Sequence, residues 1–538
     1  GGQDLKVLKS GKLDISGISF DILSDQETGG KSCIVIAGGP ARPYFPTTAE
    51  VPVDGTGSEK FFYLLNAGAW CQANNEILAI INFKYDDGTV EEKHIRGGRD
   101  IMDWCQPASA PNAARVWSEY NGNTQVSLFL SKFPLKTSAR LKSVEFCASN
   151  VVWMVVGAAI GDEVKIVPMK SNFAVTKTVK APETPSTMVN VKADKPPRNI
   201  ILVIGDGMGQ GAYDLASICT HGETNRLFMQ QLPIAGFCET YSNNSKVTDS
   251  AASGTAIACG MKVNNSNIGV TAEGKRLKSV AESAHELGKS IAMITSDSLS
   301  GATPAVFYAH QTQRGMASDI LVDASTCGFE VLVGNAGTRG LFVQNGPEPT
   351  QRNLQKEMEA NGYQFVSTPD EFASVSAQKK VVGQIDDKFW KSSETVIGEL
   401  TETAMKRLEA NPKGFFMMVE SSLPDKGGHG NDPNLTLLGT IQADWIAKAA
   451  VDYAAKHPDT LVIVTADHET GTLTAEKAAP GNSGPLIQYG GISHSGAPVP
   501  IHAYGPMAEL FGGKINNIDI AKNIATFWGF EAPIVTEP

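Results

Sequence analysis

A serine follows an aspartate at the predicted start of a helix, in the run VTDSAASGTA at residues 247–256. A helix N-terminus presents unpaired backbone N–H groups and the positive end of the helix dipole, so a serine oxygen there can lose its proton and a phosphate can be held beside it. Ser250 is therefore the candidate nucleophile, with Asp249 beside it. The alternative is that Asp249 or Ser250 only caps a helix of small residues packed against a sheet. The run alone does not decide between catalysis and capping.

Carboxylates and imidazoles stand at the ends of several predicted strands in the second half of the chain. These residues are Asp206, Glu420, Asp425, His429, Asp467, His468 and His494. Catalytic zinc uses carboxylate and imidazole ligands with one position left open, and magnesium takes carboxylate and hydroxyl oxygens. Any one of these residues could cap an element or satisfy a core hydrogen bond. Their joint placement predicts a metal-activated serine, because no histidine neighbours Ser250 in sequence to act as its base.

The first of these strands ends in the glycine-rich run GDGMGQGA at residues 205–212. It contains a match to the dinucleotide-binding fingerprint, which is weak evidence when it stands alone. Asp206 lies between the strand and the glycines, where its charge would repel a pyrophosphate. We therefore interpret Asp206 as a metal ligand, with dinucleotide binding as the alternative.

The elements that must position these residues change in character along the chain. Residues 1–176 are predicted to form an all-β sandwich, and residues 177–198, rich in proline, threonine and lysine, a linker. Residues 199–538 alternate apolar runs with helical patterns, which is typical of a parallel sheet covered on both faces. The predicted fold is thus α/β, a doubly wound and mostly parallel sheet preceded by a β-sandwich, with ligands bound at the carboxyl ends of the strands. The predicted strands are 15–23, 33–37, 61–65, 77–85, 125–130 and 151–156, then 200–204, 290–294, 329–333, 415–419, 461–464 and 500–503.

Composition narrows the function classes. A chain of 538 residues is too long for one ordinary hydrophobic core, so two domains or one heavily elaborated domain are expected. Its net charge of −11 argues against nucleic-acid binding, which needs a basic face. No stretch approaches the ~20 apolar residues of a membrane helix. The eight cysteines show no CxxC spacing, which favours scattered core thiols over disulfides. The chain opens with Gly1-Gly2 and without a basic and then apolar segment, so a signal peptide is expected to have been removed.

Asp249-Ser250-Ala251 and the acids and histidines above resemble the complete motif set of the alkaline phosphatase family, in the family's order, from about Asn199 to the C-terminus. The resemblance implies a doubly wound α/β fold with two zinc ions and one magnesium. It also implies hydrolysis of phosphate monoesters through a phosphoserine intermediate. By position, the first zinc would be held by Asp425, His429 and His494, the second by Asp206, Asp467 and His468, and the magnesium by Asp206, Thr303 and Glu420.

The same resemblance implies roles for two cations. Arg314 would clamp two phosphate oxygens with its planar fork, which only arginine can do. Lys426 matches family variants with a lysine near the phosphate. Gly301 departs from the family pattern, in which this position carries aspartate or histidine, and this predicts a magnesium bound more weakly or through extra water. Residues 305–400 are interpreted as an insertion or cap beside the site.

The N-terminal segment loosely resembles galactose-binding-like jelly-roll modules of secreted bacterial carbohydrate-active enzymes. The resemblance rests on the tract PARPYFP at 40–46, the turn YDDGT at 85–89, and Asp103-Trp104. It implies glycan binding. The alternative is a structural or docking module, because Trp104 and Trp117 can equally belong to a sandwich core.

The leading prediction is therefore a phosphatase acting on small-molecule phosphate monoesters. One alternative is a phosphodiesterase of the same superfamily, which would usually carry a threonine nucleophile and lack the third metal. Another is a surface glycan-binding protein with a phosphatase-fold scaffold. The resemblances also imply a homodimer and a periplasmic, cell-surface or secreted location.

Overall fold

The chain folds into two compact units, residues Gly1–Ser171 and Asn172–Pro538. The computed structural model describes residues 5–536 apart from 6, 25–32, 39–43, 72–74, 106–108, 121–124, 170–172, 174, 186–187, 191–194, 337–341, 345–350 and 478–484. The predicted linker at 177–198 falls within the second unit, and its described part packs against the rest of that unit. The backbone N–H of Lys177 donates to Asn434 Oδ1 at 2.8 Å, and Trp445 Nε1 donates to the carbonyl of Lys180 at 2.8 Å.

The first unit consists of antiparallel strands. They are β1 (Gly11–Ile15), β2 (Ile18–Ile22), β3 (Ile34–Ala37), β4 (Thr48–Pro52), β5 (Phe61–Ala69), β6 (Ile77–Tyr85), β7 (Val90–Arg96), β8 (Ala114–Tyr120), β9 (Gln125–Pro134), β10 (Leu141–Ala148) and β11 (Val152–Gly161). One sheet has the order β4-β10-β6-β7, a second β3-β11-β5-β9-β8, and β1 pairs with β2. The strand predicted over 15–23 corresponds to β2 but begins only at Ile18, because Ser16 and Gly17 have positive φ angles of 55° and 83° and turn the chain into a hairpin with β1.

Two hydrophobic clusters hold this unit together. One contains Phe62 and Phe146 with the fully buried Trp153, whose Nε1 donates to Asn66 Oδ1 at 2.9 Å. The other contains the β1–β2 hairpin, and Trp104 and Trp117 pack there as the structural alternative predicts. The Asp87 side chain accepts from the backbone N–H of Thr89 at 2.9 Å, which stabilises the turn at 85–89. The prediction for the tract at 40–46 falls outside the described residues at 40–43.

The second unit combines strands and helices. Its strands are β12 (Asn199–Gly205), β13 (Ile234–Glu239), β14 (Arg276–Lys278), β15 (Ser290–Thr295), β16 (Val331–Asn335), β17 (Phe342–Gln344), β18 (Gln351–Asn353), β19 (Tyr363–Val366), β20 (Lys380–Ile385), β21 (Phe415–Ser421), β22 (Thr460–Ala466), β23 (Glu469–Thr470), β24 (Leu473–Glu476), β25 (Leu486–Tyr489), β26 (His494–Ser495), β27 (Val499–Tyr504), β28 (Gly513–Asn516) and β29 (Ile534–Thr536). Its α-helices are α1 (Gln210–His221), α2 (Ser250–Cys259), α3 (Val280–Glu286), α4 (Ala302–Ala305), α5 (Ala317–Thr326), α6 (Leu354–Ala360), α7 (Pro369–Ser374), α8 (Asp387–Ser392), α9 (Val396–Leu408), α10 (Leu423–Gly430), α11 (Pro433–Lys456) and α12 (Ile518–Trp528). Short 3₁₀ helices cover Phe228–Gln231 and Ala508–Phe511.

A ten-stranded sheet in the order β19-β20-β16-β15-β21-β12-β22-β27-β13-β28 forms the centre of this unit. All pairs are parallel except those of β27 with β22 and β13. Strand β12 is apolar after its first residue, Asn199, and Ile200 to Ile204 are fully buried, as expected where helices cover the sheet. Helix α11 packs against β12, β21 and β22, and α3 packs against β15 and β21. This arrangement confirms the predicted fold class.

Residues 305–400 are not a separate insertion throughout. Strands β16, β20 and β19 extend the central sheet beyond β15 in parallel register. The interpretation of this region as an insertion or cap is wrong for β19 and β20, whereas β16 overlaps the sheet strand predicted over 329–333. The edge strand β19 was missed because it is short and only half of its residues are buried, so it shows no continuous apolar run.

Two further predictions bear on the whole chain. Among the described residues, no helix is both long and apolar enough to cross a bilayer. Cys238 and Cys259 are free thiols buried in the core of the second unit, as the core-thiol interpretation predicts.

Candidate active site

The carboxyl-terminal edge of the central sheet brings the predicted site residues together. Asp206 directly follows β12, Glu420 lies near the end of β21, and Asp467 directly follows β22. These three strands are neighbours in the order β21-β12-β22. Parallel strands present their carboxyl ends at one edge, so residues far apart in sequence meet there.

The nucleophile candidate begins helix α2. Asp249 is its N-cap and accepts a hydrogen bond from the backbone N–H of Ala252 at 3.0 Å. The cap is therefore supplied by Asp249, and Ser250 is left for another role. Ser250 is 3% exposed, and its Oγ lies 3.1 Å from His468 Nε2.

One cluster of potential metal ligands includes the histidine beside that serine oxygen. His468 Nε2 lies 3.4 Å from Asp206 Oδ1 and 3.2 Å from Asp467 Oδ2, and all three side chains are buried. The other ring nitrogen of His468 lies 3.2 Å from Thr470 Oγ1, whose hydroxyl hydrogen is donated to Asp425 at 2.6 Å. His468 Nδ1 therefore donates to Thr470, and Nε2 carries the lone pair that faces the carboxylates.

A second cluster lies beside the first. Asp425 Oδ1 lies 3.4 Å from His429 Nε2 and 3.5 Å from His494 Nε2, and the two Nε2 atoms are 3.1 Å apart. His494 Nδ1 donates to the carbonyl of Thr248 at 2.9 Å, and His429 Nδ1 donates to that of Ile492 at 2.5 Å. In the neutral rings both Nε2 lone pairs then converge on one point beside a carboxylate oxygen. Such backbone anchoring of the second ring nitrogen is typical of histidines that bind metals.

Burial and charge act differently on the acids of these clusters. Burial and the charges of Asp467, Asp425 and Glu420 raise the pKa of Asp206 well above its usual range. Burial also opposes ionisation of Asp425, but hydrogen bonding to His494 and the nearby imidazoles lower its pKa overall. A bound cation would offset the repulsion between like charges packed this closely.

A third group consists of oxygen atoms without partners. Thr303 Oγ1, Glu420 Oε1 and Asp206 Oδ1 are buried and make no hydrogen bond. Burial and the charge of Asp297 raise the pKa of Glu420 to about 8. Buried polar atoms are normally paired, and an unpaired set of carboxylate and hydroxyl oxygens is the donor set that a hard divalent cation prefers.

The two cations that the sequence predicts beside the phosphate are each paired with a carboxylate. Arg314 Nη1 donates to Asp249 Oδ2 at 3.2 Å, so Asp249 both caps α2 and holds the guanidinium beside the helix start. Lys426 Nζ lies 3.1 Å from Asp297 Oδ1 and 3.1 Å from Ser422 Oγ. Both side chains are about 40% exposed and remain open to an anion.

Comparison with known proteins identifies the family to which this arrangement of acids, histidines and a serine belongs. The family model described as alkaline phosphatase matches residues 197–489. The chain belongs to the alkaline phosphatase family. It is thus a metal-dependent hydrolase of the phosphatase type, with phosphate esters as the substrate class.

Three members of the family indicate how close the similarity is. Alkaline phosphatase 4 of Bacillus subtilis is 31% identical over 61% of this chain and 88% of its own length. Streptomycin-6-phosphate phosphatase of Streptomyces griseus is 28% identical over 64% of this chain and 93% of its own length. The structure of alkaline phosphatase from the Antarctic bacterium TAB5 is 28% identical, covers 63% of this chain and 99% of its own, and superposes with a TM-score of 0.56. A variant of that enzyme was solved with magnesium bound in its M3 site.

Several residues that shape the alkaline phosphatase site carry no signal in the sequence. Thr295 donates to Glu420 Oε2, and it stands opposite Glu420 in the parallel register of β15 and β21. Thr470 connects His468 to Asp425, and the carbonyl of Thr248 orients His494. Thr248 and Thr470 stand near motif residues, Thr248 directly before Asp249 and Thr470 two positions after His468. All three contacts depend on strand register or loop path, which spacing does not reveal.

His310 stands in the loop that carries Arg314, although no sequence motif singles it out. Its Nδ1 lies 2.9 Å from the carbonyl of Gly269, and its Nε2 lies 2.9 Å from Glu282 Oε1. A carbonyl and a carboxylate only accept, so both ring nitrogens donate and the ring is an imidazolium. Burial opposes this charge, but the hydrogen bond and charge of Glu282 outweigh it and raise the pKa of His310.

We expect His310 to make the stability of the fold depend on pH. Because its folded-state pKa is above the unfolded value of about 6.5, its contribution is complete below that pH and is lost as pH rises through the folded pKa. His310→Gln should therefore lower the free energy of unfolding by about 1 kcal/mol more at pH 6 than at pH 9. Urea unfolding of both proteins at the two pH values measures this difference.

The matched control is His457→Gln, which changes a histidine outside the Arg314 loop. It should not reproduce the dependence of the His310 effect on pH. If His310→Gln costs the same free energy at both pH values, the ring acts by packing alone and the ion pair with Glu282 contributes nothing.

Proposed function

We propose that this chain hydrolyses phosphate monoesters through a phosphoserine intermediate on Ser250, releasing inorganic phosphate and an alcohol. The observation that carries the proposal is the position of Ser250 Oγ, which is buried at a helix N-terminus 3.1 Å from His468 Nε2. His468 belongs to the cluster with Asp206 and Asp467, so we interpret it as a metal ligand and not as a general base for Ser250. A serine placed in this way is activated by coordination.

The donor sets support two zinc ions and one magnesium. Zinc fits the two clusters that contain histidine, and magnesium fits the cluster that offers oxygen alone. The proposed ligands are Asp425, His429 and His494 for the first zinc, Asp206, Asp467 and His468 for the second, and Asp206, Thr303 and Glu420 for magnesium. When bound, these ions supply Lewis-acid stabilisation of the entering and leaving oxygens.

The residues of the chain then perform two in-line displacements. In the first, Ser250 Oγ forms a bond to phosphorus, the bond from phosphorus to the ester oxygen breaks, and the alcohol leaves with a proton. In the second, a water oxygen forms a bond to phosphorus and the bond to Ser250 breaks, so that inorganic phosphate is released and the serine recovers its proton. Arg314, held by Asp249, meets the equatorial oxygens of the transferring group.

The unpaired oxygens of Thr303 and Glu420 favour a monoesterase over a diesterase. A diesterase of this superfamily would usually lack a third metal, and these two buried oxygens are left without partners unless a cation binds there. Ser250 at the nucleophile position agrees with the same choice. Secretion, dimer formation and glycan binding by the first unit stay predictions.

The test compares p-nitrophenyl phosphate with bis-p-nitrophenyl phosphate in the presence of zinc and magnesium. We expect the monoester to be hydrolysed with the higher kcat/KM, and an acid-quenched reaction to show a phosphoryl adduct on the peptide that contains Ser250 by mass spectrometry. Faster turnover of the diester would establish the phosphodiesterase alternative. Failure to turn over either compound with metals bound would contradict both.

A further inference from the structure

The loop after β15 brings a second carboxylate to the position that Gly301 leaves without a side chain. A Cβ atom built on Gly301 would lie only 2.7 Å from Asp297 Oδ2 and 2.9 Å from the carbonyl oxygen of Ser298. These distances are shorter than any ordinary van der Waals contact. The carboxylate of Asp297 therefore occupies the space that a side chain at position 301 would fill.

The other oxygen of Asp297 holds a cation of the site. Lys426 Nζ lies 3.1 Å from Asp297 Oδ1 and 3.1 Å from Ser422 Oγ, and that hydroxyl lies 2.9 Å from Ser296 Oγ. Lys426 directly follows the ligand Asp425 on helix α10. The pair is about 40% exposed, so its contribution to folding stability is small and its effect is to fix where the ammonium group points.

Asp297 is also connected to the group of unpaired oxygens. Its backbone N–H donates to Thr295 Oγ1 at 2.8 Å, and that hydroxyl donates in turn to Glu420 Oε2. Gly301 is the N-cap of α4, the helix that carries Thr303. Asp297 thus stands between Lys426 on one side and Thr303 with Glu420 on the other. The buried, unpartnered atoms Thr303 Oγ1 and Glu420 Oε1 are the independent sign that a ligand binds here.

We propose that Asp297 is a positioning residue whose carboxylate replaces the side chain that Gly301 lacks. One of its oxygens holds Lys426 in place for the substrate phosphate, and the other supplies negative charge on the open side of the third cation site. The inference rests on the proposed function for its effect on substrate, whereas its effect on the cation is independent of turnover. The sequence prediction of a weakened third site is accordingly replaced by one in which the carboxylate comes from the loop.

The test begins with Asp297→Asn, which keeps the shape of the side chain and removes its charge. The protein is first loaded with zinc and then titrated with Mn²⁺, and bound ion is measured by electron paramagnetic resonance. We expect Mn²⁺ to bind about tenfold more weakly, at the lower end of the effect of partners of metal ligands. Inhibition of p-nitrophenyl phosphate hydrolysis by inorganic phosphate should weaken by a similar factor. In a Lys426→Met background, Asp297→Asn should weaken inhibition no further.

Two designs serve as controls. Asp387→Asn changes another acid whose charge acts on Lys426 but whose oxygens pair with Asn335 and Lys391, and it should leave Mn²⁺ affinity and phosphate inhibition unchanged. The double variant Asp297→Ser with Gly301→Asp moves the carboxylate to position 301. It should bring Mn²⁺ affinity back to within about threefold of the original protein, as expected if charge location is what matters.

The outcomes separate this inference from the proposed function. Unchanged Mn²⁺ affinity in Asp297→Asn would overturn the inference, whatever the turnover. Asp297→Asn could weaken Mn²⁺ binding while the original protein hydrolyses no monoester. That result would support the role of Asp297 at the third cation site. It would overturn its role in placing Lys426 for the substrate, and it would contradict the proposed function. A loss of thermal stability alone, with both binding measurements unchanged, would make Asp297 a structural residue only.

Discussion

Replacing Ser250 by alanine is expected to lower kcat for p-nitrophenyl phosphate by at least about 10³-fold and to eliminate the phosphoryl adduct. The substitution removes the one oxygen that lies 3.1 Å from His468 Nε2 at the start of α2. It changes little else, because Asp249 and not Ser250 caps the helix. Zinc content and the urea unfolding midpoint should therefore stay near those of the original protein. Steady-state kinetics, metal analysis and quenched mass spectrometry check the three parts.

The control is Ser283→Ala, another buried helical serine, whose hydroxyl makes no hydrogen bond and lies on α3. It should retain full activity and equal or higher stability, since an unpaired buried hydroxyl is removed. If Ser250→Ala keeps more than about a tenth of the original kcat, direct attack by water is the main route and the phosphoserine intermediate is not required.

The sequence predicted the parts of this protein that depend on local pattern. Continuous apolar runs located β12, β15, β21 and β22, because strands buried on both faces need them. Asp206, Glu420 and Asp467 could be placed at one edge of the sheet, since every parallel strand presents its carboxyl end there. The segment that carries the proposed nucleophile was recognisable for the same local reason, as small residues follow Asp249 at a helix start.

What the sequence did not predict depends on register and loop path. Thr295 reaches Glu420 only because β15 and β21 pair with these two residues opposite each other. Asp297 reaches the space beside Gly301 because the loop after β15 folds back on itself, and no periodicity encodes that path. Gly301 could be identified as a departure from the family pattern, but the compensating carboxylate four residues earlier could not. The hairpin at Ser16 and Gly17 was missed for a related reason, since a two-residue turn can stand within a run of apolar residues.

We expect metal ions to stabilise the second unit, residues 172–538, by binding to Asp467. This residue is completely buried. Its Oδ1 accepts from the backbone N–H groups of Gly207 at 3.1 Å and His468 at 2.9 Å, while Oδ2 has no hydrogen-bond partner. Asp467→Asn would direct an amide group or an uncharged oxygen at the ion. We expect it to lower kcat/KM by at least about 10³-fold, since a partner removed from a catalytic metal leaves the nucleophile inactive.

The same substitution should have opposite effects on stability with and without metal. A bound ion stabilises the fold by about 4 kcal/mol when its free concentration is about 1,000 times Kd, and Asp467→Asn loses most of that increment. In the chelated protein the variant should be at least as stable as the original, because one of three buried carboxylates that repel one another becomes neutral. The variant is therefore expected to unfold more easily than the original protein in zinc, and no more easily in a chelator.

The control Asp444→Asn changes an equally buried aspartate that accepts from the backbone N–H groups of Phe228 and Met229. Zinc should raise its free energy of unfolding as much as that of the original protein. Equal destabilisation of Asp467→Asn under both conditions would show that Asp467 serves the backbone of the loop and holds no ion.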